Sequence, residues 1–399
     1  MVNRSCCFFI LWPLDTVNLL YFQLCYGYLH GMQPNLFRFG LRTIFIAGIL
    51  MAATSAVLFG TLMFVSHLSL FLALAYMIRF LEGFSMAVLW STVLAILLAS
   101  HPTRPAAVYA LLDTTFGLGF SLGPVYGFFM YTVSGFLLPF CVGGAAIFST
   151  GMLSLPLIGT LTAAAEKHLT SDRPPARPLF SSPFFLTALL ATSTAAFSSF
   201  GFTLPLLELH LSSFGLTASS VGFCFLAFSA TYTLSNVLSG LVTDSYIQPW
   251  TVCVTGLLCL LMSFFFLPFN EIPLKLVGLM FLGIGAGCVL VASYSCALNA
   301  ALQMPAYPED VKTYSLVSSV WTAAFAIGSF LGTSLAGLLF DHIGWEWSCA
   351  AVQGLISTTL VLSLVAAWHD QKGKSKSLER INHEDRKRAE GTNLKADKP

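Results

Sequence analysis

The chain has 399 residues, 56% of them hydrophobic and 9% charged, with a formal net charge of +1. A soluble domain carries about 25% charged residues, so this composition excludes an ordinary soluble globule. Its near-neutral balance gives no ground for a nucleic-acid partner. Apolar runs of about 20 residues are long enough to cross a bilayer. In chain order they predict helices over 8–30, 41–66, 70–99, 105–132, 136–161, 183–208, 216–242, 249–268, 273–301, 313–340 and 345–368. The longest polar break, 162–182, carries Pro174, Pro175 and Pro178 among charges and reads as a linker. The expected organisation is a first helical half over 1–161, a linker over 162–182, a second half over 183–368 and a disordered tail over 369–399. The fold class is an all-α membrane protein.

Two halves are predicted because the sequence repeats itself. Gly119, Gly123 and Gly135 recur 209 residues later as Gly328, Gly332 and Gly344. At the same offset Phe116 matches Phe325, and Gly31 and Asn35 match Gly240 and Asp244. A constant offset at separated places marks copies of one helical unit. In a membrane, two such units rocking about a shared centre is the architecture of secondary carriers. The register is uneven: Gly31–Asn35 follows the first span, whereas Gly240–Asp244 follows the second span of the later half. The expectation is therefore twelve helices minus the first, about eleven, and an incomplete or alternatively spliced product.

Cation placement orients the chain. Arg38, Arg42, Arg104, Lys167, Arg173, Arg177 and Lys312 share one side with nine further cations after residue 368, against Arg4 and Lys275 on the other. The positive-inside rule puts the linker and the C-terminus in the cytoplasm. Ten scattered cysteines without a CxxC pair indicate neither a disulfide framework nor zinc. The sequence has no phosphate-binding Gly-Lys-Ser/Thr loop, metal-spaced cluster or nucleophile motif. No enzyme, cofactor or metal is expected, and transport would draw on an ion gradient.

Ionisable groups inside spans are the functional candidates, since each costs about 2.5–3.5 kcal/mol at the bilayer centre on insertion scales. Arg79 and Glu82 stand one turn apart, on one helix face; they are a coupling pair facing a cavity, or a structural pair neutralising itself. Asp113, followed by Thr114 and Thr115, suits a cationic amine or a proton, or else caps a helix start. Glu208, with His210, falls near the non-cytoplasmic boundary, where a hydrated interfacial position competes with a functional one. Gly119, Gly123, Gly127, Gly328, Gly332 and Gly344 are architectural, because small residues let helices approach closely. Pro124 and Pro205 are expected to bend their spans.

These motifs resemble the major facilitator superfamily. Gly31 and Asn35 with Arg38-Phe39-Gly40-Leu41-Arg42 resemble its Gly-x-x-x-Asp-Arg-x-Gly-Arg-Arg loop, and Gly240 to Asp244 the second-half counterpart. Arg79-Phe80-Leu81-Glu82-Gly83 resembles Arg-x-x-Gln-Gly, and Gly123-Pro124-Val125-Tyr126-Gly127 the Gly-Pro-x-x-Gly antiporter motif. Leu112-Asp113-Thr114-Thr115-Phe116-Gly117-Leu118-Gly119, and Ile343-Gly344-Trp345-Glu346-Trp347, are similar to the polyamine-carrying branch of the vesicular amine transporter family. The resemblance implies a major facilitator fold of two pseudo-symmetric halves. It also implies proton-coupled antiport of a small organic cation, a polyamine or monoamine, into vesicles, with Arg79, Glu82 and Asp113 at matching charged positions. The partners implied are the cationic substrate, protons and the lipid bilayer, with a monomer as the working unit. The alternatives are a broad drug/proton antiporter, or a truncated non-transporting isoform with a regulatory or binding role.

Overall fold

The computed structural model describes residues 41–101, 104–166, 177–212, 218–245, 247–309 and 311–396, and within them most side chains. Every regular element among the described residues is helical. Helix α1 is Leu41–Thr61, closed by a 3-10 turn at Leu62–Phe64; α2 is Leu68–Ser100, α3 Pro105–Ser134 and α4 Leu137–Glu166. After a 3-10 turn at Arg177–Ser181 come α5, Pro183–Ala195, a π segment, Ala196–Thr203, and α6, Leu204–Ser212, joined end to end. Then follow α7 (Ala218–Ser245), α8 (Pro249–Phe266), α9 (Ile272–Leu302) and α10 (Val311–Ala396).

Helices dominate for two reasons. In hydrocarbon every backbone polar group needs a partner within its own segment, and the starts are written locally. Proline occupies the first helical turn of α3, α5, α8 and α9, where its missing amide and fixed φ fit. Ser182 caps α5, its hydroxyl accepting from the Phe185 amide. Eight stretches among the described residues are long and apolar enough to cross a membrane. The last, Leu316–Lys372, has 57 residues, which at 1.5 Å per residue is two crossings and not one. Gly344 divides it, with φ 74° and ψ 175° inside the run. Its copy Gly135 ends α3 at φ 72°, and these are the two positive-φ residues among those described. The repeat thus extends to backbone conformation: glycine tolerates the left-handed turn that reverses the chain.

Ten of the eleven expected spans fall on helices among the described residues, the span 216–242 from residue 218 onward. The first, 8–30, lies outside them, as do Gly31, Asn35, Arg38 and Gly40. One expectation needs correcting. The tail over 369–399, read as disordered, continues α10 as helix to Ala396; its Lys, Arg, Glu and Ala residues are good helix formers. At Pro205 the structure sets a π segment, Ala196–Thr203, just before the proline. A proline lacks the amide donor and crowds the preceding turn, and a wider turn relieves that crowding. Thr203 Oγ1 donates to the Ser198 carbonyl at 2.7 Å and helps satisfy the widened ladder.

Within the first half α1 packs on α2 and α4, and α3 on α4; within the second, α9 packs on α5, α7 and α8, and α10 on α5 and the π segment. The halves meet where α3 lies against α7 and α9, and α2 against α10. Leu234, Leu238 and Leu241 form an exposed row on α7, as expected of a helix whose outer face meets lipid tails.

Candidate functional site

Asp113 is 4% exposed and lies eight residues into α3, about 12 Å from its start at 1.5 Å per residue. It does not cap that helix; it reaches across to the other half. Tyr232 Oη of α7 donates to Asp113 Oδ2 at 2.7 Å. The close approach depends on Gly117, one turn further along α3. A Cβ there would fall 2.5 Å from Thr233 Oγ1 and 3.1 Å from the Tyr232 ring. Asn236, one turn beyond Tyr232, also faces Asp113 but makes no bond of good geometry, leaving both amide atoms buried and unpaired.

Aromatic rings close around this carboxylate. Tyr109, one turn before Asp113, stacks on Tyr294 of α9 at 4.8 Å and meets Trp321 of α10 edge-on at 4.9 Å. Hydrogen bonds fix those rings: Trp321 Nε1 donates to Ser293 Oγ at 3.2 Å, and Tyr294 Oη pairs with Ser318 Oγ at 3.0 Å. On the other side, Phe200 of the π segment stands edge-on to Tyr232 at 5.5 Å and touches Phe325 and Phe116. An ionised carboxylate so enclosed is costly unless a proton or a cation neutralises it. Aromatic faces favour an organic cation as well.

Arg79 and Glu82 engage different neighbours. Arg79 Nη1 and Glu82 Oε2 are 2.8 Å apart, and the guanidinium lies 4.0 Å over the Phe59 ring of α1. Phe59 in turn packs on Phe136 and Phe140, so this pair belongs to the packing of the first half. Glu208 lies on α6 and Asp244 at the end of α7, with both side chains outside the described residues, as is that of Pro124. Arg42 is exposed at the start of α1, close to Gly159, and Gly240 is buried on α7.

At the opposite end of the second half a buried lysine is held by aromatic and backbone groups. Lys275 Nζ lies 2.8 Å from His210 Nε2 and donates to the Leu267 carbonyl at 3.2 Å. An ammonium only donates, so Nε2 accepts and the imidazole is neutral. Trp345 stacks on His210 at 4.2 Å and donates to the same carbonyl at 3.1 Å. The sequence pointed to His210 and to the Trp345 motif separately; the structure joins them.

Sequence reasoning missed Tyr232, Asn236, Tyr109, Tyr294 and Trp321. An available signal was the polar pair Tyr232 and Asn236, four residues apart on a largely apolar helix and therefore on one face.

A buried carboxylate between two repeated helical bundles is the arrangement of a secondary carrier, and the family follows. The Major Facilitator Superfamily model matches residues 19–309, and the chain belongs to that superfamily. It is a multi-pass membrane protein of the transporter class. Over 331 residues it is 29% identical to the MFS-type transporter SLC18B1 of Homo sapiens, covering 79% of this chain and 69% of that one. The Mus musculus protein of the same name is 28% identical over 352 residues, 85% and 74% of the two chains. In structure the chain is similar to the human organic anion transporter MFSD10 (TETRAN). The TM-score is 0.65 at 17% identity, with 88% of this chain and 83% of that chain covered, a likeness of fold.

Proposed function

We propose that this protein is a proton-coupled antiporter that loads small organic cations, polyamines or monoamines, into vesicles, with its C-terminus in the cytoplasm. The observation that carries the reading is Asp113. It is a buried carboxylate bonded across the two halves to Tyr232 and enclosed by rings from α3, α7, α9, α10 and the π segment. Proton and cation compete for one negative charge. In such exchange the carboxylate gives up its proton on one side of the membrane as it takes the amine, and reverses this on the other. The relatives named as transporters, the antiporter-like Gly123-Pro124 motif and the cation-rich loops on one side support the same reading. Arg79–Glu82 is assigned the lesser part of holding the first half in shape during the exchange.

The test is uptake of labelled polyamine or monoamine by purified protein in liposomes under an imposed pH gradient. Asp113→Asn keeps size and hydrogen bonding but removes the charge. A charge-assisted bond contributes roughly 1.5–3 kcal/mol, so uptake should fall about ten- to a hundred-fold, while Glu82→Gln loses less. Uptake indifferent to the gradient would remove proton coupling from the reading. Wild-type activity in Asp113→Asn would remove the site. Competition by bulky lipophilic cations would widen the substrate class to drugs.

A further inference from the structure

A second place suited to a cation lies on the far side of α9 from Asp113. A cleft of about 300 Å³ has Phe184 of α5, Trp250 of α8, Asn299 of α9, Gln303 just past the end of α9, and Asp370 of α10 in its walls. Its size and its mix of aromatic walls with a few polar groups are those of a small-molecule site. It gathers the starts of α5 and α8, the end of α9 and the first part of the tail, so it sits at the end of the bundle that carries the linker. Each residue advances about 100° around a helix, which puts Asn299 and Gln303 about 140° and 180° round α9 from Tyr294. Tyr294 is the ring of α9 that meets the first half. The cleft therefore lies away from the seam between the halves.

We propose that this cleft binds a primary ammonium group, carried by an aminophospholipid headgroup or by a free aliphatic amine. An ammonium has three donors and no acceptor. Asp370, Asn299 and Gln303 each bring oxygen acceptors, and the rings of Trp250 and Phe184 add surfaces that attract a cation. Asp370 is half-buried, and a carboxylate partly withdrawn from water gains more from a cation than a fully hydrated one. It offers about four acceptor positions, so a neighbour already bonded to it leaves room for the ligand. Asn299 and Gln303 stand four residues apart on one helix face, and both are exposed, which opens the cleft to its surroundings. A lipid source is close at hand. Trp368, two residues before Asp370, is exposed, and Lys372, two residues after it, lies 4.8 Å over the Trp368 ring. Tryptophan favours the membrane–water boundary. With the ammonium of a headgroup on Asp370, its phosphate falls to Lys372. Asp113 takes no part in this binding, which holds whether or not Asp113 exchanges protons.

The test is thermal unfolding of the purified full chain in detergent with each probe added stepwise, because a ligand of the folded state raises its midpoint. Putrescine is the free-amine probe and short-chain phosphatidylethanolamine the lipid probe. Phosphatidylcholine is the control, since its quaternary ammonium has no N–H to donate. The midpoint should rise with one or both primary amines and stay put with phosphatidylcholine; the probe that acts identifies the source. In Asp370→Asn the concentration giving half the rise should be about ten- to a hundred-fold higher, as for loss of a charge-assisted bond. Gln303→Leu, at an exposed position, should weaken binding by roughly ten-fold or less and carries the comparison if Asp370→Asn folds poorly. The rise should persist in Asp113→Asn. A rise lost in Asp113→Asn but kept in Asp370→Asn belongs to the site between the halves; it would overturn this cleft and leave the antiport reading intact. No rise with either primary amine, or equal responses in the wild type and both cleft variants, would overturn it as well.

Discussion

The glycine faces of α3 and α10 are copies in sequence and opposites in surroundings. On α10 a Cβ at Gly328 would fall 2.1 Å from the Ser193 carbonyl oxygen, and one at Gly332 would fall 2.8 Å from the Gly201 Cα. Gly201 returns the contact, with 2.5 Å to the Ser329 carbonyl. Here two backbones touch, and no side chain could give way. On α3, among the described residues, nothing lies within 4 Å of a Cβ at Gly119, Gly123 or Gly127. The tight glycine of α3 is Gly117 instead, and it faces the other half. The position matching Gly117 on α10 is Ala326, fully buried. One helix spends its small residues on its own bundle; the other spends one on the seam between bundles. A glycine motif therefore reports a capacity for close approach, and the neighbour decides where that capacity is used.

The comparison can be broken at its strongest point first. Gly328→Ala puts a methyl into a backbone carbonyl, and the helix pair must separate; the loss should be about 3 kcal/mol or more. It should show as lower yield of monodisperse protein and a lower thermal midpoint. Gly117→Ala meets a hydroxyl rotor and a ring edge that can shift, so about 1 kcal/mol is expected. Because the shift moves Tyr232 relative to Asp113, uptake should drop more than stability does. Gly119→Ala is predicted to be neutral, or to stabilise by up to about 1 kcal/mol through helix propensity. Thermal midpoints of the three variants side by side decide the matter. A loss at Gly119 equal to that at Gly328 would mean the two faces are equally occupied, the α3 face by residues beyond those described.

The helices were legible because bilayer thickness sets a length that apolar runs must meet. Expected 70–99 and observed Leu68–Ser100 differ by two residues or fewer at each end. Expected 136–161 fell five short of Glu166, because hydropathy stops at the membrane while helical hydrogen bonding does not. Asp113 was legible as a charge inside a span. Its partner was not: Tyr232 lies 119 residues away, and nothing local in either stretch pairs them. Asp113 as a helix cap and Asp113 as a group for a cationic amine or a proton were equal on sequence, and burial against α7, about 12 Å into its helix, removes the cap. Arg79 and Glu82 were correctly put on one face; that the face meets Phe59 depends on how α1 leans, which composition does not encode.

The π segment has a consequence for phase. A π turn is an α-helical turn carrying one extra residue, and each residue of an α-helix advances about 100° around the axis. Residues after Thr203 are thus rotated by about that angle from where a straight helical wheel drawn from Pro183 would put them. The face carrying Ser193, Phe197 and Gly201 against α10 is decoupled from the face carrying Pro205 and His210. Before the segment the rod is keyed to Gly328 and within it to Gly332; downstream it is keyed to Trp345 and Lys275. One continuous rod holds two orientations that an unbroken α-helix could not present together. Removing Phe202, just after the last of these contacts, would leave the Ser193, Phe197 and Gly201 contacts seated and turn His210 away from Lys275.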